Sequence, residues 1–294
     1  SGDINRNVIE KTDMTKEMIV SSALKFRWIN AQCLELKLNN GKTLLTDPWF
    51  TNLEGMGMLE GCAPVNFTAD DIEGADYVFL NHTHGDHIWD LQSVIDRFHP
   101  WILTHSGNVL ELMKAYDIPV TDMYPLDYEG TYYFDGFILE THHATHHRRH
   151  ETMQSGMFHA GDKDTVMTMG GTFNMNFVLT TDQGMRIAFI GGNDDGMTKR
   201  LQGVHKPNLI IRNKMSSSKQ KEGAAQMFAD WFAETDTQIL VPMHYEQWLK
   251  NDPEFARQVY EDMNRIMEEK GMTGRVVPLE RCRWYSLNLS ITEC

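Results

Sequence analysis

The chain has 294 residues, of which 41% are hydrophobic and 10% aromatic, a composition typical of a folded globular protein. Its 41 acidic and 27 basic residues give a net charge of −14, which disfavours broad binding to nucleic acids or anionic membrane surfaces. No apolar run approaches the length that spans a bilayer, and the four cysteines lack CxxC spacing. We therefore predict a reduced, cytoplasmic protein that binds neither nucleic acid nor membranes, and we leave a homo-oligomer open.

The pattern of predicted elements favours one mixed domain. Residues 1–22 are polar and are predicted to form an N-terminal extension, with a single domain over residues 23–294. Strands are predicted at 26–29, 33–38, 43–46, 77–80, 101–104, 131–134, 137–141, 173–180, 186–190 and 238–241, and near 276 and 284. Helices are predicted at 88–98, 109–116, 219–234 and 253–269. Hairpins come first and strand–helix alternation follows, which predicts an α+β fold of two mixed sheets with helices outside.

A histidine-rich segment follows the predicted strand that ends at Leu80. Residues 82–87 place three histidines and one aspartate within six positions. Because side chains at i and i+2 of an extended segment point to the same side, His82 and His84 can bind one metal ion. Asp86 and His87 can bind a second ion. Nitrogen and oxygen ligands suit Zn²⁺ or a similar ion, which generates hydroxide from water near neutral pH.

Further candidate ligands follow three other predicted strands. They lie in the segments 141–150, 191–196 and 241–244, each at the carboxyl end of an apolar run. Loops at strand ends gather into active sites in many folds. We therefore expect these segments to complete a site around residues 82–87.

These motifs resemble the metallo-β-lactamase superfamily over about residues 24–290. The resemblance is carried by five motifs: the HxHxDH box at 82–87, Asp47-Pro48, Ala144-x-His146, the turn at 191–196 and Pro242-Met243-His244. It implies a four-layer αββα sandwich. Within the superfamily, the segments 46–49 and 242–248 most resemble the branch that contains L-ascorbate-6-phosphate lactonase.

The resemblance also implies a ligand set for two divalent metal ions, of which Zn is favoured and Mn or Fe also fit. The first ion would be held by His82, His84 and His146, and the second by Asp86, His87 and His244. The neighbouring histidines of 142–147 leave the third ligand of the first ion open.

Two polar residues compete for the place that bridges the ions, and a third supports the site. Strict alignment places Asn193 there, but a bulge would bring in Asp194, whose carboxylate bridges two cations better. With Asn193 in that place, the second ion would bind weakly. Asp47 would orient a metal-bound side chain through a hydrogen bond.

Several cationic side chains could contact an anionic substrate. His143, His147, Arg148 and Arg149 form the densest basic patch, which either clamps a phosphate or carboxylate or is a solvated loop. The long segment 151–171, which carries His159, is predicted to cover the site. His105 either contacts substrate as a general acid or caps the helix that follows.

The resemblance predicts a hydrolase that uses a metal-activated hydroxide on a lactone, ester or amide of a small anionic or phosphorylated substrate. Asp86 would orient the nucleophile and take up its proton. The alternatives are a metal-dependent phosphodiesterase, a metal-binding sensor with weakened catalysis, and a di-iron redox enzyme. The di-iron branch usually has a glutamate where this chain has His84.

Overall fold

The computed structural model describes residues 17–55, 57–146, 170–192, 196–214 and 223–292. Its strands, in chain order, are β1 (Glu17–Asn30), β2 (Cys33–Leu38), β3 (Thr43–Thr46), β4 (Tyr77–Phe79), β5 (Trp101–His105), β6 (Met123–Leu126), β7 (Thr131–Phe134), β8 (Phe137–His143), β9 (Met175–Thr181), β10 (Arg186–Ile190), β11 (Leu209–Asn213), β12 (Ile239–Met243), β13 (Arg275–Val276) and β14 (Tyr285–Thr292). Its helices are α1 (Gly85–Ile88), α2 (Leu91–Phe98), α3 (Val109–Ala115), α4 (Met197–Arg200), α5 (Ala224–Thr235), α6 (Glu246–Asn251) and α7 (Pro253–Glu269). None of these helices combines the length and apolar character that a membrane span requires.

The strands form two mixed sheets of seven strands each in the described part of the chain. The first sheet has the order β14-β1-β2-β3-β4-β5-β6, antiparallel up to β3 and parallel from β3 to β6. The second has the order β13-β12-β11-β10-β9-β8-β7, parallel from β13 to β10 and antiparallel from there to β7. The predicted α+β architecture of two mixed sheets with helices is confirmed.

Alternation along the strands explains how the first sheet is packed on both faces. Phe79 joins the core between the sheets, where its ring lies 5.4 Å from that of Phe177 in β9. The preceding residue, Val78, faces the other way, into a second cluster with residues of α2 and α3. On the second sheet, Phe228 and Phe232 of α5 pack into the main core. Buried apolar side chains of both sheets and their covering helices thus hold the layers together.

The structure corrects some predicted element boundaries. Residues 17–22, which we assigned to the extension, belong to β1 and pair with β14. Strand β11 was missed, although Leu209-Ile210-Ile211 is a short apolar run of the kind that forms central parallel strands. Strand β6 and helix α6 were also missed, and the helix predicted from 219 is described from Ala224. The division into an extension and a single domain stays a prediction.

A buried ion pair links the first two strands to the segment before β4. Arg27 and Glu35 face each other across β1 and β2, and Arg27 Nε and Nη2 donate to Glu35 Oε2 at 2.8 and 2.6 Å. Glu35 Oε1 accepts hydrogen bonds from the backbone amides of Glu73 and Gly74 at 2.8 and 3.0 Å. Because Glu35 is fully buried, these four donors satisfy a carboxylate that water cannot reach.

We expect Glu35→Gln to lower the free energy of unfolding by about 3 kcal/mol, because it leaves the buried Arg27 guanidinium without an anionic partner. Urea unfolding followed by circular dichroism measures this change. The control is Glu261→Gln, which removes an exposed partner of Arg257 on α7 and should not move the midpoint. Equal midpoints for both variants would contradict the role assigned to the buried pair.

Candidate metal centre

The loop between β4 and α1 orients the first two histidines of the HxHxDH box. Asn81 Oδ1 lies 2.7 Å from His82 Nδ1, and the Asn81 side-chain amide donates to the backbone oxygen of Met175 in β9. This contact turns the other ring nitrogen of His82, Nε2, towards His84 Nδ1 at 2.9 Å. His84 stands directly before α1, so the strand-to-helix turn brings the two rings together.

His146 completes the first group of donors. Its ring centroid lies 4.9 Å from that of His82 and 4.7 Å from that of His84, and the donor atoms of the three residues lie within 4.8 Å of one another. The competing histidines are engaged elsewhere: His142 Nδ1 lies 3.2 Å from Glu129 Oε2, and the His143 ring packs against Tyr128. Of the described histidines in 142–147, the structure therefore brings His146 to the group.

Asp86, His87 and His244 form a second group directly beside the first. Their donor atoms also lie within 4.8 Å of one another, with Asp86 Oδ2 3.4 Å from His244 Nε2 and Asp86 Oδ1 3.9 Å from His87 Nε2. The His87 ring centroid lies 3.9 Å from that of His82 in the first group. Asp86 and His87 lie in α1, whereas His244 follows β12 of the other sheet. The site is therefore built between the two sheets.

Two buried carboxylates lie beside the outer nitrogens of the second group's histidines. Asp47 Oδ1 lies 3.1 Å from His87 Nδ1 and also accepts a hydrogen bond from the backbone amide of Asn81 at 2.8 Å. Glu246, at 0% exposure, lies with both oxygens near His244 Nδ1, at 3.0 and 3.2 Å. A carboxylate on the far nitrogen of a histidine fixes the ring for metal binding. Asp47 was predicted for this place; Glu246 was missed, although it stands two residues after His244 in the Pro-Met-His motif.

The shifted pKa values of the same side chains favour binding of a cation. Burial, followed by the nearby His87 and His84 rings, holds the pKa of His82 well below its usual range, so the ring is neutral and has a free lone pair. Burial opposes ionisation of Asp86, but His87 and His244 outweigh it and lower the pKa of its carboxyl. Burial likewise opposes protonation of His244, yet Glu246 and Asp86 raise its pKa to about 10. A cation binding to the second group would therefore displace a proton from His244.

The donor chemistry fits divalent metal ions. The two groups offer five imidazole nitrogens and a carboxylate, and every member is buried or partly buried. Such nitrogen-rich sets suit Zn²⁺, and they also accept Mn²⁺ or Fe²⁺. Three protein ligands per ion leave a coordination position for a further ligand, as catalytic sites require.

The turn expected to bridge the ions begins against the HxHxDH loop. The backbone oxygen of Gly191 accepts a hydrogen bond from Asn213 Nδ2 at 2.7 Å. A Cβ atom added at Gly191 would come within 2.6 Å of Asn81 Nδ2. Only glycine therefore lets the chain pass so close to the side chain that orients His82. Asn193 and Asp194 lie outside the described residues, and the choice between them stays a prediction.

The other predicted site residues lie outside the two donor groups or outside the described residues. His105 Nδ1 accepts the backbone amide of Gly107 at 2.9 Å, and its ring stacks on Phe173 at 4.7 Å. This position fits the capping interpretation, and a general-acid role stays a prediction. His143 lies near His105, across Tyr128. The remaining predicted substrate contacts and the predicted cover lie outside the described residues: His147, Arg148, Arg149, His159 and the segment 151–169.

Comparisons with known proteins support the fold and the family. A family model described as a beta-lactamase superfamily domain matches residues 25–207, more than half of the 294-residue chain. A metal-dependent hydrolase of Agrobacterium fabrum is 26% identical over 123 residues, which are 42% of this chain and 48% of that protein. The chain thus matches about half the length of this relative.

Solved structures show the same architecture over most of the chain. A metallo hydrolase from the archaeon Ignicoccus hospitalis superposes with a TM-score of 0.61 at 14% identity, covering 92% of this chain and 99% of that one. An isothiocyanate hydrolase from Delia radicum gut bacteria gives a TM-score of 0.62 at 17% identity, covering 90% of this chain and 100% of that one. At such low identity, these similarities establish the fold and not the reaction.

We expect Glu246→Gln to weaken Zn²⁺ binding at the second group about 10- to 100-fold, because the anion that orients His244 is lost. Competition of the apo-protein with a chromophoric chelator measures the two affinities separately. Glu254→Gln, on the exposed side of α7, is the matched control and should bind like the wild type. An unchanged affinity in Glu246→Gln would show that this carboxylate does not support the site.

Proposed function

We propose that this chain, which belongs to the beta-lactamase superfamily, is a metal-dependent hydrolase of a lactone, ester or amide bond in a small anionic substrate. The observation that carries the proposal is the pair of adjacent donor groups, His82–His84–His146 and Asp86–His87–His244. Proteins use two metal ions side by side to activate a water molecule and to stabilise both the attacking and the leaving oxygen of the reaction.

The residues of the site have separable roles in this proposal. The two donor groups would each hold one ion, and bound ions would lower the pKa of a water molecule and polarise the bond to be cleaved. Asp86 stays ionised because neighbouring imidazoles hold its pKa down, so its carboxylate can accept a hydrogen bond from the attacking water and orient it. His82 and His87, at 2% and 1% exposure, line the buried floor of the site.

The relatives support a hydrolytic reaction, and the sequence resemblance supports the kind of bond. The Agrobacterium and Ignicoccus proteins are described as hydrolases, and the Delia isolate's enzyme as one that acts on an isothiocyanate. Resemblance of residues 46–49 and 242–248 to the lactonase-like branch favours a lactone or a related acyl bond. A phosphodiester is the nearest alternative, since the same donors serve phosphoryl transfer.

Redox and sensing functions remain as other classes. His84 stands where the di-iron branch usually has a glutamate, and a nitrogen in this place favours zinc over an oxygen-rich iron site. Bound iron with a visible chromophore would favour redox chemistry. A single bound ion without turnover would favour a sensor.

We expect His84→Ala and Asp86→Ala each to lower kcat/KM by more than about 1000-fold while the fold is kept, because each removes a donor or the group that orients water. Hydrolysis of a panel of lactones, aryl esters and phosphodiesters by the Zn²⁺-loaded protein measures this. The control is His205→Ala, an exposed histidine outside both groups. Circular dichroism should give the same spectrum for all variants, and turnover that survives both substitutions would contradict the mechanism.

A further inference from the structure

Lys214 leaves the second sheet beside the second donor group. Strands β11 and β12 run parallel, with Asn213 paired to Met243, so the next residues along the two strands are Lys214 and His244. The end of β11 is also tied to the turn at 191–192, because Asn213 Nδ2 donates to the Gly191 oxygen at 2.7 Å. Lys214 therefore belongs to the same edge of the sheet as the candidate metal ligands.

The ammonium group of Lys214 has a neutral partner. Its Nζ donates to Gln247 Oε1 at 3.0 Å and lies 5.6 Å from the centre of the Trp248 ring. Within the described part of the chain, no carboxylate oxygen is paired with this Nζ within 4.0 Å. The side chain is half-buried, and burial lowers the pKa of Lys214 although Glu246, Cys62 and Asp86 oppose this.

Other lysines of the protein contrast with Lys214. Four of them form ion pairs with aspartate or glutamate: Lys37, Lys42, Lys206 and Lys270. The side chains of these four lysines are 33–41% exposed, and a salt bridge this open to water contributes little to stability. A half-buried ammonium whose hydrogen-bond partner among the described residues is a neutral amide oxygen is costly for a purely structural role. Such a cation at the edge of a site is typical of a ligand contact.

We propose that Lys214 recognises an oxyanion of the substrate, a carboxylate or a phosphate, beside the second donor group; this rests on the proposed function. An incoming oxyanion would replace the neutral Gln247 oxygen by a negatively charged acceptor, which attracts the ammonium more strongly than an amide oxygen does. Partial burial strengthens this attraction because fewer water molecules screen it. Lys214 thus selects anionic substrates on the β11 side of the site.

Binding of inorganic phosphate to the Zn²⁺-loaded protein tests the proposal without turnover. By isothermal titration calorimetry, Lys214→Met should weaken phosphate binding at least about tenfold, and Lys214→Arg should recover most of it because the charge is kept. The matched control Lys199→Met, on the exposed side of α4, should bind phosphate like the wild type. Equal affinity in Lys214→Met and wild type, or no phosphate binding by the wild type, would overturn the proposal.

A pair of aryl esters that differ by one carboxylate tests the same residue in catalysis. Lys214→Met should raise KM for the anionic ester more than for the neutral ester, and the ratio of the two kcat/KM values should fall about tenfold. A uniform loss on both esters would indicate a structural role and contradict the proposal. If the wild type cleaves neither ester, the proposed activity fails for esters, whereas the phosphate titration still reports on Lys214.

Discussion

The site depends on the close packing of imidazole rings in a place that excludes most water. The His82 ring lies 4.6 Å from His84, 4.9 Å from His146 and 3.9 Å from His87. Burial together with the neighbouring rings disfavours protonation of His82. Such a cluster is stable only if the outer side of the rings is held, and Asn81, Asp47 and Glu246 supply those contacts for His82, His87 and His244.

The two-sheet architecture explains how distant parts of the chain reach this cluster. Strand β4 of the first sheet delivers the HxHxDH box, and strands β8 and β12 of the second end beside it. Asp47 and His244 both take left-handed backbone conformations, with φ of 40° and 55° directly after β3 and β12. Surrounding hydrogen bonds stabilise these strained conformations. The backbone amide of His244 donates to the backbone oxygen of Ala31 at 2.9 Å, and the backbone amide of Asp47 donates to the backbone oxygen of Phe79.

Local patterns predicted the centre of the site, and non-local contacts explain what was missed. His82, His84, Asp86 and His87 lie in one short segment, so their spacing alone indicates metal binding. Glu246 escaped notice because a glutamate at the start of a helix is an ordinary N-terminal residue until its contact with His244 is seen. Lys214 was missed together with β11, since an apolar run of three residues gives little periodicity and only the β11–β12 register brings the lysine beside His244.

We infer that the two donor groups bind two metal ions side by side. The most direct measurement is a crystal structure of the Zn²⁺-loaded protein with anomalous scattering recorded on both sides of the zinc edge. We expect two zinc peaks, one within about 2.0–2.2 Å of nitrogens of His82, His84 and His146, and the other equally close to donors of Asp86, His87 and His244. A single peak, or zinc bound away from these six side chains, would contradict it.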